Sequence, residues 1–328
     1  MHTPPRWGIL GTAEIAEQII RGVREGGVSE VRAVASREIG RAREWARRHG
    51  IPLAFGSYDE LLRSGEIDLV YNPLPNSLHA EWTIKALEAG LPVLCEKPLA
   101  ANVKEARAIE RAAAGAGLYV AEAFMYRFHP QWDVVCGLVR DGAVGKLSTL
   151  YSRFTFMLDD RSAHPASAAL AGGALMDVGC YCVNFSRLIA GCEPVRIFAV
   201  EQRSTVDDTM VGLLEFPNGI LAHFETSIAN FERHGAEIAG TEGAISIDKP
   251  WAPGSTPARV TVRRHDAEPR EIVVPPANAY RLEVDDFVRV CAGKIKPRWP
   301  IGDAVANMAV IDTLFLSARK KDEPKTLK

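Results

Sequence analysis

A strict alternation of two hydrophobic periods constrains this chain more than any other feature. Over about the first 120 residues, short β-rich runs take turns with segments of helical spacing. Trp7–Leu10 is apolar and ends at Gly11, and Glu14–Glu25 is amphipathic. Val31–Ala35 is a second strand, followed by a charged helix over Ile39–His49. Asp68–Tyr71, a helix from Asn76 to Ala89, Pro92–Cys95, a helix over Val103–Ala114 and Leu118–Ala121 continue the pattern. Strands separated by helices do not close hairpins; they run parallel through right-handed crossovers and build a doubly wound sheet.

After His129-Pro130 the rhythm changes. One helix, Gln131–Arg140, precedes long alternating runs at Leu147–Leu158, Val195–Gln202, Met210–Phe216, Ile220–Ile228, Ala236–Ala239 and Ala244–Ile247. Asn218-Gly219 between two of them is a hairpin signal. Helical spacing returns at Ala174–Ile189, Arg281–Cys291 and Asp303–Ala318. The expected architecture is α/β: a parallel sheet domain over residues 1–122, then an α+β domain with a large, mostly antiparallel sheet over residues 123–328. The C-terminal helix is free to pack back on the first domain. With no low-complexity linker between them, a ligand cleft between the two domains is expected.

Net charge is −2, which favours neither nucleic acid nor an anionic membrane as partner. Residues 1–6 are short and polar, and no later segment reads as long and apolar enough to span a bilayer; a cytoplasmic location is expected. The six cysteines lack CxxC or zinc-type spacing and read as free thiols. His223 and His234 lie on β-rich runs without companion ligands, so no metal is expected.

Strand Trp7–Leu10 runs into Gly11-Thr12-Ala13-Glu14-Ile15-Ala16, the dinucleotide fingerprint G-x-G-x-x-G/A with Ala13 at its second glycine. Gly11 permits the tight turn, and small residues let the backbone approach a pyrophosphate at the helix N-terminus. Gly11, Thr12, Ala13 and Ile15 are the contacts this predicts. The second strand then ends Val34-Ala35-Ser36-Arg37, without the carboxylate that holds a ribose 2′-hydroxyl in NAD sites. Arg37 suits a 2′-phosphate, Ser36 adds a hydroxyl and Arg41 lies one turn on. Arg43, Arg47 and Arg48 read as a solvated face. NADP is expected, with NAD as the alternative.

Two more segments stand at expected strand or helix ends: Glu96-Lys97-Pro98, and Gly172-Gly173 followed by Asp177 and Tyr181. Asp177 and Tyr181 are four apart and share a helical face. Spacing alone equally fits a surface lysine before a loop and a core tyrosine. Phe154 and Phe156 alternate onto one strand face, as pocket wall or as core, and Arg161 beyond them reads as solvated.

Taken together, these segments resemble the Gfo/Idh/MocA oxidoreductase family over nearly the whole chain. The resemblance rests on Gly8-Ile9-Leu10-Gly11-Thr12-Ala13-Glu14-Ile15-Ala16, on Asn72-Pro73-Leu74-Pro75-Asn76-Ser77-Leu78-His79, on Glu96-Lys97-Pro98, and on Gly172-Gly173 with Asp177 and Tyr181. The stretch from Ala121 to Gln131, with Tyr126-Arg127, is most similar to the branch of D-xylose 1-dehydrogenases and trans-1,2-dihydrobenzene-1,2-diol dehydrogenases. Many members carry histidine where this chain has Tyr181; tyrosine there resembles the dihydrodiol, xylose and glucose–fructose branch.

The resemblance implies a Rossmann domain followed by an α+β substrate domain. It also implies hydride transfer between nicotinamide and a carbon of a sugar or cyclic polyol, an aldose such as D-xylose or a dihydrodiol. Lys97 would then hydrogen-bond the reacting oxygen and the nicotinamide ribose, and Tyr181 would be the general acid or base. A free phenol, with a pKa of about 10, needs a neighbouring ammonium to serve near neutrality. Asp177 would orient the lysine or a substrate hydroxyl, and Glu96 the nearby backbone or the cofactor amide. Pro73, Leu74, Asn76 and His79 would lie along the cofactor, and Arg127 would line the cleft. The Lys97–Pro98 peptide is expected cis, and the open sheet is expected to form a homodimer or homotetramer. Other readings are a sugar-nucleotide ketoreductase, a sugar oxidoreductase that never releases its cofactor, and a non-catalytic dinucleotide-binding regulator.

Overall fold

The computed structural model describes residues 4–160, 162–254 and 256–320; Arg161 lies outside them. The chain forms two compact units, one of residues up to His129 together with Asn278–Val305, the other of Pro130–Ala277 together with residues from Ala306 on.

In the first unit the chain runs through β1 (Arg6–Leu10), α1 (Ala16–Gly26), β2 (Glu30–Ala35), α2 (Ile39–His49), β3 (Leu53–Phe55) and α3 (Tyr58–Arg63). It continues with β4 (Leu69–Asn72), α4 (Asn76–Glu88), β5 (Val93–Glu96), α5 (Val103–Ala116) and β6 (Val120–Ala123). The six strands are parallel in the order β3-β2-β1-β4-β5-β6. The strand order reverses between β1 and β4, and the crossovers leave a crevice at the carboxyl ends there. β3 and α3, which the periodicity did not predict, form one edge of the sheet. α3 is short but well started, because Ser57 caps it by accepting a bond from the Glu60 amide at 3.1 Å.

The second unit begins with α6 (Pro130–Arg140), β7 (Leu147–Met157) and a π-helical turn, Leu175–Gly179, that runs straight into α7 (Cys180–Ala190). β8 (Arg196–Arg203), β9 (Asp207–Glu215), β10 (Leu221–Ser227), β11 (Ala229–Gly240), β12 (Gly243–Ile247), β13 (Ala258–Arg264) and β14 (Ala267–Val274) follow. These eight strands order as β14-β13-β12-β11-β7-β10-β9-β8, and only the β7–β10 pair is parallel. Asn218-Gly219 does turn the β9–β10 hairpin. β11 is much longer than the run Ala236–Ala239, and β13 and β14 are additional strands.

Two helices close the chain, α8 (Ala279–Cys291) and α9 (Ile301–Arg319). α8 belongs to the first unit. Its Val284, Phe287 and Val288 join Trp7, Ile9, Ile19, Val23 and Leu94 in one buried cluster, with Phe287 at 5.3 Å from the Trp7 ring and 5.2 Å from Tyr119. From Ala306 onward α9 serves the second unit, where Ser317 accepts a bond from the Ala199 amide.

One expectation is corrected. Two stretches, Ala168–Ala190 and Ile301–Arg319, are long and apolar enough to cross a membrane by length and composition. The first is apolar because it is a core element, with 67% of its window buried.

The sheet of the second unit keeps one face open. Phe198 and Val200 of β8 stand opposite Leu213 and Val211 of β9, with Leu221 on β10. All five are between 42% and 53% exposed. Tyr151 and His223 stack beside them at 4.8 Å.

Candidate functional site

At the end of β1 the chain turns through Gly11, whose φ is +89°. A Cβ there would lie 3.1 Å from Leu74 Cδ2, so the turn needs glycine both for its conformation and for room. The Gly11 amide donates to Ala35 O, but among the described residues the amides of Thr12, Ala13, Glu14 and Ile15 make no backbone bond. α1 then starts with no side-chain cap. Uncommitted amides beside a helix N-terminus, at the crevice of an open parallel sheet, are a cradle for a diphosphate. The dinucleotide reading of this turn fits.

Arg41 Nε donates to Thr12 Oγ1 at 2.7 Å, which pulls the guanidinium from α2 across to the turn. An open groove lined by Thr12, Glu14, Glu17, Arg41, Glu44, Trp45 and Arg48 runs beside it. Ser36 is buried and Arg37 exposed at the end of β2. Tyr58 of α3 also belongs to this corner, although no sequence signal marked it. Burial pushes its phenol up, and Arg37 and Arg41 pull it back down. The charges of both arginines therefore reach the same hydroxyl.

The ends of β4 and β5 are tied together by buried polar groups. Asn72 donates to His79 O and Thr83 Oγ1 and accepts from the Leu74 amide, which shapes the loop carrying Pro73 and Leu74 into α4, where Asn76 is buried. His79 is fully buried, with Nε2 at 2.6 Å from Leu74 O and Nδ1 at 2.8 Å from Pro98 O. His79 thus spans the two loops as a brace. The Lys97–Pro98 peptide is cis.

Glu96 accepts from Tyr71 Oη at 2.6 Å and from the Lys97 amide at 3.3 Å. Burial, then the Glu96 charge, drive the Tyr71 phenol well above its usual range, so Tyr71 is a proton donor only. Behind them lies Glu283 of α8, 1% exposed, with neither carboxylate oxygen hydrogen-bonded among the described residues. Burial and the nearby Glu96 raise it well above an ordinary carboxyl, while Arg127 opposes them. Arg127, on a short 3-10 turn after β6, is itself buried. It pairs with Asp303 at 2.6 Å and lies over the rings of Phe124 and Trp299 at 5.1 and 4.9 Å.

In the second unit, Asp177 occupies the π-helical turn and Tyr181 the first turn of α7. Single π turns inside helices recur at functional sites. Tyr181 is 7% exposed, with its ring 5.5 Å from Phe154 and 5.7 Å from Trp251; Phe154 also meets His234 at 4.4 Å. Phe154 is therefore wall to the phenol, whereas Phe156 packs on a small cluster of Ala174, Val206 and Ile228. Asp177 is half-buried between buried Met176 and Val178. The six cysteines are free, and no group of three or more His, Cys, Asp or Glu able to hold a metal occurs among the described residues.

A reversed parallel sheet with an amide cradle at its switch point defines a nucleotide-binding Rossmann protein. The family model "Oxidoreductase family, NAD-binding Rossmann fold" matches residues 5–124, and the GFO/IDH/MocA C-terminal domain matches residues 134–246. The chain belongs to the Gfo/Idh/MocA oxidoreductase family, and its cofactor is a nicotinamide dinucleotide. It is 36% identical to a D-xylose 1-dehydrogenase (NADP(+)) of Haloferax volcanii, over 95% of this chain and 97% of that one. It is 35% identical to the mouse trans-1,2-dihydrobenzene-1,2-diol dehydrogenase, over 76% of each. Among solved structures it is similar to a 3-ketoreductase from Actinomadura kijaniata in complex with NADP and TDP-benzene. The TM-score is 0.89 at 28% identity, covering 96% of this chain and 98% of that one.

The Glu283 carboxyl gives a stability signature. Its folded pKa lies above the unfolded one, so its stabilising share is complete below the ordinary carboxyl range and declines as pH rises. Thermal unfolding between pH 5 and 8 should show a smaller loss of stability in Glu283→Gln than in the unmodified protein. Parallel curves would mean that Glu283 ionises normally.

Proposed function

We propose that this chain moves a hydride between NADP and the carbon of a sugar or cyclic polyol, with Tyr181 and Lys97 as its proton-handling pair. The observation that carries the reading is the placement of Tyr181. A phenol set among Phe154 and Trp251, one turn from half-buried Asp177, is shielded from bulk water yet close to a polar neighbour. Its relatives at 35–36% identity, named for D-xylose and for a dihydrodiol, support a polyhydroxylated substrate.

Bound nicotinamide supplies the site of hydride uptake and release. In oxidation Tyr181 Oη takes the hydroxyl proton of the substrate, and in reduction it returns one to the carbonyl oxygen. Lys97 contributes a fixed positive charge that favours the phenolate and the developing alkoxide. The loop after β5 holds Lys97 through two braces on its backbone: Glu96 accepts from the Lys97 amide and His79 reaches Pro98 O. Asp177 orients a substrate hydroxyl or the lysine. Thr12, Ala13 and Ile15 bind the diphosphate, Arg37 and Arg41 the 2′-phosphate.

The open face of the large sheet is proposed as the contact between copies of this chain, as a homodimer or homotetramer. Its registered row of half-exposed Phe198, Val200, Val211 and Leu213 is the supporting observation.

Three outcomes test these assignments. Tyr181→Phe should lower kcat by about two to four powers of ten with NADPH binding nearly intact; undiminished turnover would remove Tyr181 from the mechanism. Arg37→Ala and Arg41→Ala should each weaken NADPH by about 1.5–3 kcal/mol, roughly ten- to a hundredfold, with little effect on NADH. Equal losses for both cofactors would place the 2′-phosphate elsewhere. Light scattering should give a multiple of the 35.8 kDa chain mass that falls in Leu213→Arg; a single-chain mass for the unmodified protein contradicts the interface.

A further inference from the structure

We infer that Asp207 fixes where the Tyr181-bearing helix begins, and so acts as a positioning residue for proton transfer. The inference rests on the role proposed for Tyr181. Asp207 opens β9 and is 1% exposed. Its Oδ2 accepts from the Leu175 amide at 2.7 Å, at the first residue of the π-helical turn. Its Oδ1 lies 1.9 Å from where a Cβ on Gly173 would stand, and Gly173 has a φ of +120°. The second glycine of Gly172-Gly173 is thus explained by a carboxylate far downstream in the sequence, not by the helix it precedes.

The seat is firm on other sides. The Asp177 amide donates to Gly173 O at 2.9 Å, which closes the first turn over the anchored residue. Thr226 of β10 donates to Ala174 O at 3.1 Å. Two adjacent strands therefore grip successive residues at the helix start, and Asp177 and Tyr181 follow two and six residues after Leu175. A carboxylate at a helix N-terminus is favoured by the dipole and makes a stronger bond than a neutral acceptor.

The charged groups around Asp207 do not neutralise it. On β8, Arg203 is paired with Glu201 at 3.2 Å, and the two act on Asp207 in opposite senses. From β10, Thr226 binds Ala174 O, while Glu225 of that strand is paired with Arg233. His164 lies on the turn beneath Gly172, and Asp177 on the helix itself. Burial dominates and pushes the Asp207 carboxyl up to about 7. The anchor is charged above that pH and neutral below it, and the helix is held more tightly in the charged form.

The test compares Asp207→Ala, Asp207→Asn and Tyr181→Phe by steady-state kinetics from pH 5.5 to 9 with NADPH binding measured by fluorescence. Asp207→Ala should lower kcat by about ten- to a hundredfold, with KM and NADPH affinity little changed, the scale of a misplaced reacting group. Asp207→Asn, which still accepts from Leu175, should recover most of that loss and abolish a step in kcat near pH 7. If Asp207→Ala does not fold, the asparagine profile decides alone: a retained step overturns the inference. Unchanged kcat in a folded Asp207→Ala, beside an inactive Tyr181→Phe, overturns the Asp207 assignment only. An active Tyr181→Phe removes both.

Discussion

In a parallel sheet every loop at the carboxyl edge follows a strand whose last residues are buried, and here the strand order reverses between β1 and β4. That reversal sends the helices after the two strands to opposite faces and leaves the backbone at the edge uncovered. The turn at Gly11 fills this opening with amides that no backbone group among the described residues satisfies. Leaving them unpaired is costly unless a ligand or water receives them, so the fold creates a demand for an anion at that point. Arg41, drawn in by Thr12, and the Asn72-shaped loop around Leu74 are arranged about the same opening.

Behind that edge the first unit buries several ionisable groups. Glu96, Glu283, Tyr71 and Arg127 act on one another in a region with little water. A low effective dielectric lengthens the reach of each charge, and burial penalises any left unneutralised. Burial raises both the Glu283 carboxyl and the Tyr71 phenol, Tyr71 donates to Glu96, and Arg127 is held by Asp303. Glu96 is then a fixed acceptor for the Lys97 amide. The buried charges thus act mainly by holding backbone in place.

Much of this was legible in the sequence, and the losses have physical causes. The alternating periods gave the parallel sheet, because strands buried on both faces read as short apolar runs. β3 went unread because it has three residues and follows Ile51-Pro52, and α3 because six residues show too little period. β13 and β14 carry Arg259, Arg263, Arg264, Arg270 and Glu271, which break the apolar runs, and β14 is the edge of the sheet. The first half of β11, Asn230 to Gly235, is polar apart from Phe231 and passes a register shift. Gly11, Lys97, Asp177 and Tyr181 stood in motifs. Tyr58, Glu283 and Asp207 did not, because each acts through contacts distant in sequence.

The helix that carries Tyr181 shows why such residues escape notice. α7 is buried nearly all round, so its apolar pattern identifies a core helix and nothing more. Its polar members are satisfied inside the unit: Ser186 donates to Cys182 O, and Arg187 pairs with Glu193 and donates to Asn307. Rotation of a helix tied at so many points is restricted along its body, and its N-terminal end depends on the bonds at Ala174 and Leu175. There the chain has just passed two glycines and a π turn, the places where backbone can most readily shift. The Tyr181 phenol, six residues after Leu175, inherits any movement there, so the contacts at Leu175 and Ala174 set its position.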